Sequence, residues 1–436
     1  MTNLERYFHL TETLDCPTSF LKAAWLFSVT AALERRVYFG DPHRPLHANQ
    51  YIVLVGPAGL GKGLALSESK RLLNCYNLYP PDEMEKPREQ RKPLLDPVTH
   101  FPRKQFNCLP DATTFESVVR DLADSHTSYK AEDGSIVTAS CAYFLLEELA
   151  SLLRPKKSED VARFLLNMYD NKPYKYKTAT AGGAHIEQGC LNLIAGTTPD
   201  FFKTAEEAAL LGEGLLSRFL LVAEAGRDRE SVFFFKNLTK EQLAHQLHLQ
   251  NWLSFLGHIY GQVTCTDEAV EFLETFWKGE VLRLSLMDDE RLQKAFSRRK
   301  VHIIKMAIAF HFSEYSTLVL TKRDFEQSIT YVHELERSAT ELLLSTGNNK
   351  TYGVQKRLVD RLRLRSPQTI GEVMIFLAPH LDMTAIASVL DLIEKSGHVV
   401  TEGDYLFAVD PETKTRIVND ETYKMKNQEV LMPRKA

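Results

Sequence analysis

A glycine-rich run early in the chain has the residue types and spacing of a phosphate-binding loop. The run is Gly56-Pro57-Ala58-Gly59-Leu60-Gly61-Lys62-Gly63, here named the glycine loop, and Leu64 follows it. The apolar stretch Tyr51–Val55 before it is typical of a buried strand, and Leu64–Tyr76 has helical spacing. Glycine N–H groups could surround a phosphate, and the Lys62 ammonium could neutralise its oxygens. Every residue from Gly56 to Leu64 is therefore a candidate nucleotide contact.

Gly63 departs from the usual pattern of such loops. Ser or Thr normally stands there and supplies a hydroxyl ligand to Mg²⁺. With glycine the loop can still bind phosphate, but the metal must use water or carboxylates instead. Two alternatives stay open: a loop that binds nucleotide without catalysis, and a chance glycine-rich turn between a strand and a helix.

A second apolar run ends in two carboxylates. Tyr143–Leu146 is followed directly by Glu147 and Glu148. At the end of a strand beside the glycine loop, Glu147 would bind Mg²⁺ directly or through water, and Glu148 would polarise an attacking water. The alternative is an amphipathic helix, because Leu145–Leu153 also fits a helical face. The position of the run between the loop and the next apolar stretch favours the strand.

Two further strand boundaries carry polar side chains. The apolar run Leu191–Ala195 leads into Gly-Thr-Thr-Pro, where Thr198, in preference to Thr197, could contact a phosphate or the water. Arg218 precedes the apolar run Phe219–Ala223 and could stabilise charge on a phosphate bound to a neighbouring subunit. The alternatives are a simple Thr-Pro turn and a surface arginine in a weak ion pair.

Composition limits the class of protein. The chain has 436 residues, 25% of them charged, and a formal net charge of -4, so any nucleic-acid surface must be a local patch. The six cysteines form no Cys-x-x-Cys pair, which argues against a zinc site and favours reduced thiols in the cytoplasm. No apolar run reaches the ~18 residues of a membrane span, and the stretch Phe20–Leu33 is expected to be a buried helix.

The order of these motifs resembles that of the AAA+ ATPases. More closely, it is similar to the helicase-like P-loop proteins of phages, prophages and mobile elements, relatives of primase-helicases and minichromosome-maintenance helicases. The resemblance runs from about Ala23 to Phe312, and the glycine loop is its only highly specific motif. It implies an α/β P-loop NTPase fold with a parallel sheet and helices on both faces, ATP and Mg²⁺ as ligands, and a ring, often a hexamer.

The resemblance also assigns two further groups of residues. A helical lid of the family carries an arginine that contacts ATP, for which Arg298 fits best and Arg299 second. A hairpin before the third motif contacts DNA in the channel, and Lys175, Tyr176 and Lys177 occupy that place, with phosphate contact and base stacking as their roles. The alternatives are a basic helix face and an ordinary exposed hairpin.

The terminal residues have the pattern of a winged helix, with Met383–Ser396 as recognition helix and Gly397–Val409 as wing. The basic segment 356–365 could bind DNA phosphates, but the recognition helix is acidic, so a packing or subunit-contact role is equally supported. The expected parts are an N-terminal helical segment (1–48), an ATPase core (49–238) with an exposed insertion (80–103), a helical lid (239–346), a winged-helix-like module (350–410) and a loose tail (411–436).

Together these features predict an oligomeric, ATP-hydrolysing DNA motor, a replication helicase or translocase of a phage or mobile element. Single-stranded DNA in the central channel is the expected partner. One alternative is a nucleotide-regulated DNA-binding or assembly protein with little turnover, which Gly63 favours. Another is an ATPase that remodels proteins, such as a loader or a defence component.

Overall fold

The structure is a computed structural model that describes residues 1–74, 92, 95, 103–111, 114–130, 134–153, 158–178, 182–203, 214–230, 237–285, 293, 296–346, 358–359, 361–378, 383–395, 397–410 and 415–419. Most of the insertion at 80–103 and of the tail at 411–436 lies outside these residues. The chain divides into two compact units, Met1–Thr340 and Glu341–Ala436.

The first unit combines helices and strands in alternation. The α-helices given by its described residues include α1 (Asn3–Leu10), α2 (Thr18–Leu33), α3 (Lys62–Leu73), α4 (Phe115–Asp124), α5 (Ser158–Tyr169), α6 (Lys240–Leu256), α7 (Asp267–Ser285), α8 (Arg299–Glu314) and α9 (Lys322–Thr346), the last of which ends in the second unit. Its strands are β1 (Val37–Phe39), β2 (Leu46–His47), β3 (Tyr51–Val55), β4 (His126–Lys130), β5 (Ile136–Leu146), β6 (Tyr174–Thr178), β7 (Gly182–Ile186), β8 (Gly189–Thr197), β9 (Phe219–Ala223), β10 (Gly261–Cys265) and β11 (Val319–Leu320).

A five-stranded sheet forms the centre of this unit, with the strand order β4-β5-β8-β3-β9. The strands β5, β8, β3 and β9 run parallel, and every residue of β3 and β8 is buried. Strands covered on both faces need continuous apolar runs, which is the pattern that their sequences have. Because these four strands are parallel, their carboxyl ends meet at one edge of the sheet.

The expectation of a wholly parallel sheet is wrong at one position. The edge strand β4 pairs with β5 in the antiparallel sense, with His126 opposite Ser140 and Lys130 opposite Ile136. Only residues 131–135 connect the two strands, and so short a connection can join antiparallel neighbours but not parallel ones. The fold is thus α/β with mixed sheets.

A second, four-stranded sheet has the order β11-β10-β1-β2. In it β1 pairs in parallel with β10, which places Val37 opposite Gly261 although they are far apart in sequence. The sheet therefore joins the segment before the glycine loop to the helical region that follows the main sheet.

The helix α2 is buried on all sides. Its large aromatic residues Phe20, Trp25 and Phe27 are completely inaccessible to solvent. The expected buried helix over Phe20–Leu33 is thereby confirmed. Among the described residues, no helix combines the length and the apolar character needed to cross a membrane.

The described residues of the second unit form a small antiparallel sheet, with the order β12-β14-β13, and two helices, and residues 358–359 and 361–364 are helical as well. The elements are β12 (Gln368–Thr369), α10 (Ile370–Leu377), α11 (Met383–Lys395), β13 (Val399–Glu402) and β14 (Tyr405–Ala408). The predicted helix from Met383 and the hairpin after Gly397 are both present, and they share one apolar core with Leu358 and Leu362.

Candidate functional site

The glycine loop lies between the end of β3 and the start of α3. Gly59 and Gly61 have φ angles of +77° and +93°, which residues with a side chain rarely adopt. A Cβ atom at Gly61 would in addition collide with the carbonyl oxygen of Asp15. Both the backbone conformation and the nearby segment at Asp15 therefore require glycine at position 61.

The side chain of Lys62 folds back over this loop. Its Nζ donates hydrogen bonds to the carbonyl oxygens of Gly56, at 2.6 Å, and Pro57, at 2.9 Å. Partial burial lowers the pKa of Lys62, and the negative charge of Glu148 acts in the opposite direction. The ammonium group is thus held at the mouth of the loop, at the first turn of α3, where an anion would receive both its charge and the helix dipole.

Two carboxylates lie across from the loop, at the end of β5. The strand ends at Leu146, so the predicted strand is confirmed over the alternative helix, and Glu147 and Glu148 follow with exposed side chains. The hydroxyl of Thr197, the last residue of β8, donates a hydrogen bond of 2.9 Å to Glu148 Oε1. This contact fixes one carboxylate oxygen and leaves the other available.

Gly196 allows the end of β3, where the glycine loop begins, to lie close to the end of β5, where the two acids follow. A Cβ atom at this position would lie 2.6 Å from the carbonyl oxygen of Glu147 and 3.5 Å from Cβ of Lys62. Since β8 runs between β5 and β3, any side chain here would push the lysine and the acids apart. Sequence reasoning noticed the threonines of this segment and missed the glycine.

A cavity of about 680 Å³ opens between the loop and the acids. Its walls are Leu14, Asp15, Ala58, Gly59, Leu60, Gly61, Lys62, Gly63, Leu64, Glu147, Glu148, Thr198 and Arg227. Thr198, the preferred threonine, therefore lines the cavity, while the buried Thr197 holds Glu148. The size is that of a site for a small molecule.

Arg227 is a cation of this cavity that the sequence motifs did not indicate. It follows β9 at the same sheet edge, its guanidinium donates to the carbonyl oxygen of Gly59, and it lies 4.0 Å from the Asp15 carboxylate. The signal that could have found it is its position just beyond a parallel strand. It places a second cation beside the loop, next to the Asp15 carboxylate.

Arg218 and Arg298 meet away from this cavity, on the carboxylate of Asp170. The two guanidinium groups donate to its two oxygens at 2.7 and 3.0 Å, and we name these three residues the arginine cluster. Burial opposes ionisation of Asp170, but the hydrogen bond and charge of Arg218, with the charge of Arg298, lower its pKa overall.

The arginine cluster lies at the opposite edge of the sheet from the glycine loop. Arg218 directly precedes Phe219, which pairs with Tyr51, the first residue of β3, whereas the loop begins after Val55. At ~3.3 Å per residue, the two ends of this strand are about 15 Å apart. Neither arginine lines the cavity of the same chain.

Arg299 is placed differently from its neighbour. Its side chain is 1% exposed and forms ion pairs of 2.5 Å with Glu280 and with Glu336. A guanidinium enclosed by two carboxylates inside the protein has no surface left for a phosphate. The assignment of Arg299 as a second nucleotide contact is therefore wrong; the residue joins α7, α8 and α9.

The helix α8 places a row of polar side chains behind the arginine cluster. One turn after Arg298, His302 contacts Tyr169 and Ser217. One turn further on, the fully buried Lys305 donates to the backbone oxygen of Asn49 at 2.7 Å, and burial lowers its pKa to about 7. The helix thus contacts the residues beside both Asp170 and Arg218.

His302 makes the stability of the protein sensitive to acid. The Tyr169 hydroxyl lies 3.3 Å from Nδ1 and the Ser217 carbonyl lies 2.8 Å from Nε2, an arrangement that suits a neutral ring. Burial lowers its pKa from 6.5 to about 4. Below pH 6.5 the unfolded chain therefore binds a proton at this residue, whereas the folded protein binds it only below about pH 4. The free energy of unfolding falls as the pH is lowered across this window.

We accordingly expect the free energy of unfolding to fall by up to about 3 kcal/mol between pH 6.5 and pH 4 because of this one residue. In His302→Gln that part of the pH dependence should be missing. Urea unfolding at several pH values measures it, with His43→Gln, at an exposed turn, as the control. The same pH profile in His302→Gln and the unchanged protein would contradict the assignment.

The hairpin β6–β7 separates the residues expected to bind DNA. Lys175 and Lys177 are exposed on one face, and His185 lies opposite Lys175 on the neighbouring strand. Tyr176 points to the other face, where its ring packs edge-on against Phe115 at 5.4 Å. Successive side chains of a strand alternate between faces, so the half-buried Tyr176, predicted to stack on bases, lies on the opposite face of the hairpin from the two lysines.

Comparison of the chain with models of known protein families finds no match, and a search among curated proteins finds no similar sequence.

Proposed function

We propose that this chain is an ATP-hydrolysing subunit of an oligomer that moves along or unwinds DNA, with an AAA+-like P-loop core. The arrangement that carries the proposal is the edge where three parallel strands end. There the glycine loop with Lys62, the Thr197–Glu148 hydrogen bond and Glu147 surround one cavity. A lysine held by the backbone of a loop, opposite carboxylates, is the smallest set of groups that can support phosphoryl transfer to water.

Each residue at this edge has a definable role. The backbone of the glycine loop and Lys62 bind the phosphates, and Glu148, oriented by Thr197, positions and deprotonates the attacking water. The atoms at this edge that could bind a metal ion are oxygens, the ligand type that Mg²⁺ prefers. Glu147 would hold the metal directly or through water, and the metal would offset phosphate charge.

Gly63 leaves room for the metal ligand that is missing. A Cβ atom there would meet nothing within 4 Å, so a larger side chain fits without displacement. We expect Gly63→Thr to lower the Mg²⁺ concentration needed for half-maximal ATP hydrolysis by about tenfold, the effect of one added polar contact to a charged group. A Mg²⁺ titration of the rate measures it, and Gly63→Ala is the matched control.

The arginine cluster supports the oligomer. Since Arg218 lies at the sheet edge opposite its own glycine loop, it can reach a phosphate only on another subunit. A contact between unlike surfaces repeats from subunit to subunit and closes into a ring or continues as a helix. Arg298, which shares Asp170, would approach the same phosphate.

The support for DNA comes from two exposed surfaces. Lys175 and Lys177 stand on the outer face of the hairpin, where they could contact phosphates. In the second unit, we interpret the helix α11 and the hairpin after it as parts of a winged helix. Asp391 and Glu394 on α11 disfavour major-groove contacts by this helix, so a role of the unit in subunit contact is equally consistent.

Steady-state ATP hydrolysis with and without single-stranded DNA tests the proposal, at low salt because phosphate contacts weaken with salt. We expect DNA to stimulate the rate, and Lys175→Ala/Lys177→Ala to reduce the stimulation while the basal rate stays the same. Tight ATP binding without turnover would instead support the second candidate, a nucleotide-regulated assembly protein, which Gly63 favours. Turnover without stimulation by DNA would overturn the DNA motor.

A further inference from the structure

The packing of α1 against α6 brings together two imidazoles and a carboxylate. His9 comes from α1, while Glu241 and His245 are one turn apart on α6. One ligand atom from each of the three lies within 4.8 Å of the others, and Glu241 Oε1 is 3.7 Å from His245 Nε2. These residues lie apart from the nucleotide cavity and have no role in the proposed reaction.

Two ring nitrogens of this group are buried without a hydrogen bond. Among the described residues, neither Nδ1 of His9 nor Nε2 of His245 has a hydrogen-bond partner, and neither atom is accessible to solvent. His245 as a whole is only 6% exposed. An unsatisfied buried polar atom costs ~1–3 kcal/mol, so two of them in one cluster need a compensating interaction.

We propose that His9, Glu241 and His245 bind a divalent transition-metal ion, of which Zn²⁺ is the representative. Two imidazoles and one carboxylate are a ligand set that zinc accepts, and three protein ligands leave a fourth position for water. Ligand atoms around such an ion are about 3.3 Å apart at zinc–nitrogen distances of ~2.0–2.1 Å. Glu241 is exposed, so its side chain is free to close the remaining distance.

The backbone around the cluster is already fixed. Thr239 and Gln242 form a capping box at the start of α6, and Nε2 of the same Gln242 donates a hydrogen bond of 3.2 Å to the backbone oxygen of His9. The two helices that carry the ligands are therefore joined before any ion binds. A bound ion would add a second connection between α1 and α6 and stabilise the N-terminal helix.

Arg6 disfavours binding of this ion, so its removal is expected to strengthen metal binding rather than weaken it. Its Nη1 lies 3.3 Å from Nδ1 of His245, to which it donates. A neutral imidazole that binds a metal through Nε2 carries its proton on Nδ1, so Arg6 must give up this contact when the ion binds. Removal of Arg6, with its positive charge, should therefore strengthen metal binding.

The experiment is a calorimetric titration of the full chain with zinc chloride after treatment with a chelator. We expect one Zn²⁺ per chain, at least about tenfold weaker binding in His9→Gln and in Glu241→Gln, and tighter binding in Arg6→Gln. The melting temperature should rise with Zn²⁺ in the unchanged protein and not in the ligand variants. His43→Gln, at an exposed turn, controls for binding to surface histidines.

Two results would overturn the site. One is the absence of stoichiometric zinc binding, and the other is binding that His9→Gln and Glu241→Gln leave unchanged. Because Glu241 is exposed, its substitution does not endanger folding, and the test holds even where a histidine variant is unstable. The outcome is independent of ATP hydrolysis, so the metal site and the proposed motor can fail separately.

Discussion

Glu148→Gln is expected to lower the rate of ATP hydrolysis by about 10²–10⁴-fold, the usual contribution of a positioned general base, while ATP binding is retained. The glutamine oxygen can still accept the hydrogen bond from Thr197, which is 2.9 Å long in the structure, so the geometry of the strand end is preserved. What the variant loses is the ability to take a proton from water. Single-turnover hydrolysis and equilibrium binding of ATP, measured on the same preparation, separate the two effects.

Two comparison variants make this result specific. Thr197→Val keeps the volume of the buried side chain but removes the hydrogen bond, and should cost less than Glu148→Gln because the carboxylate remains. Lys62→Ala should weaken ATP binding itself, since it removes the cation from the loop. A Glu148→Gln protein that hydrolyses ATP at the full rate would contradict the role of Glu148 and make Glu147 the candidate general base.

The arrangement at the sheet edge was predictable to the extent that it follows from local patterns. Short apolar runs followed by glycine, acid or threonine identify strands and the residues at their ends, and β3, β5 and β8 all have this form. Parallel strands then gather these ends at one edge. Residues without a pattern of their own, such as Gly196 and Arg227, become visible only through their neighbours in space.

The remaining strands were missed for physical reasons. The strands β1 and β2 span only Val37–Phe39 and Leu46–His47, too short for an alternating pattern to emerge. The strand β1 pairs with β10, whose residues follow more than two hundred positions later, and among the described residues β2 pairs with β1 alone. The antiparallel edge strand β4 is half exposed and polar, and its direction follows from the length of the turn before β5.

Two predicted site residues, Arg299 and Tyr176, point away from the predicted partners of their neighbours for a common reason. Sequence distance indicates which residues are neighbours along the chain, but not the direction in which a side chain points. Arg298 and Arg299 are adjacent, yet one reaches Asp170 and the other is enclosed by Glu280 and Glu336. Likewise Tyr176 alternates with the lysines of its strand and packs against Phe115 on the other face.

Arg218→Ala is expected to lower hydrolysis by about 10³–10⁵-fold, the range for an arginine supplied to a phosphate by a neighbouring subunit, without loss of ATP binding. The reason is geometric, because Arg218 and the glycine loop lie at opposite edges of one sheet. The decisive measurement is a mixing experiment. Lys62→Ala and Arg218→Ala should each be inactive alone. Mixed oligomers would contain interfaces with an intact loop on one side and an intact arginine on the other, so activity should return.

Restored activity in the mixture also answers the objection that the variant is simply unstable. Arg218 is 8% exposed and its removal leaves Asp170 with one arginine partner fewer, a change that can cost stability in a buried ion pair. A misfolded subunit cannot complement its neighbour, whereas a folded subunit that lacks only the arginine can. Asp170→Asn, which keeps both arginines but loosens their shared anchor, should reduce the rate less than Arg218→Ala does. If the mixture stays inactive while both variants are folded and bind one another, action between subunits is excluded.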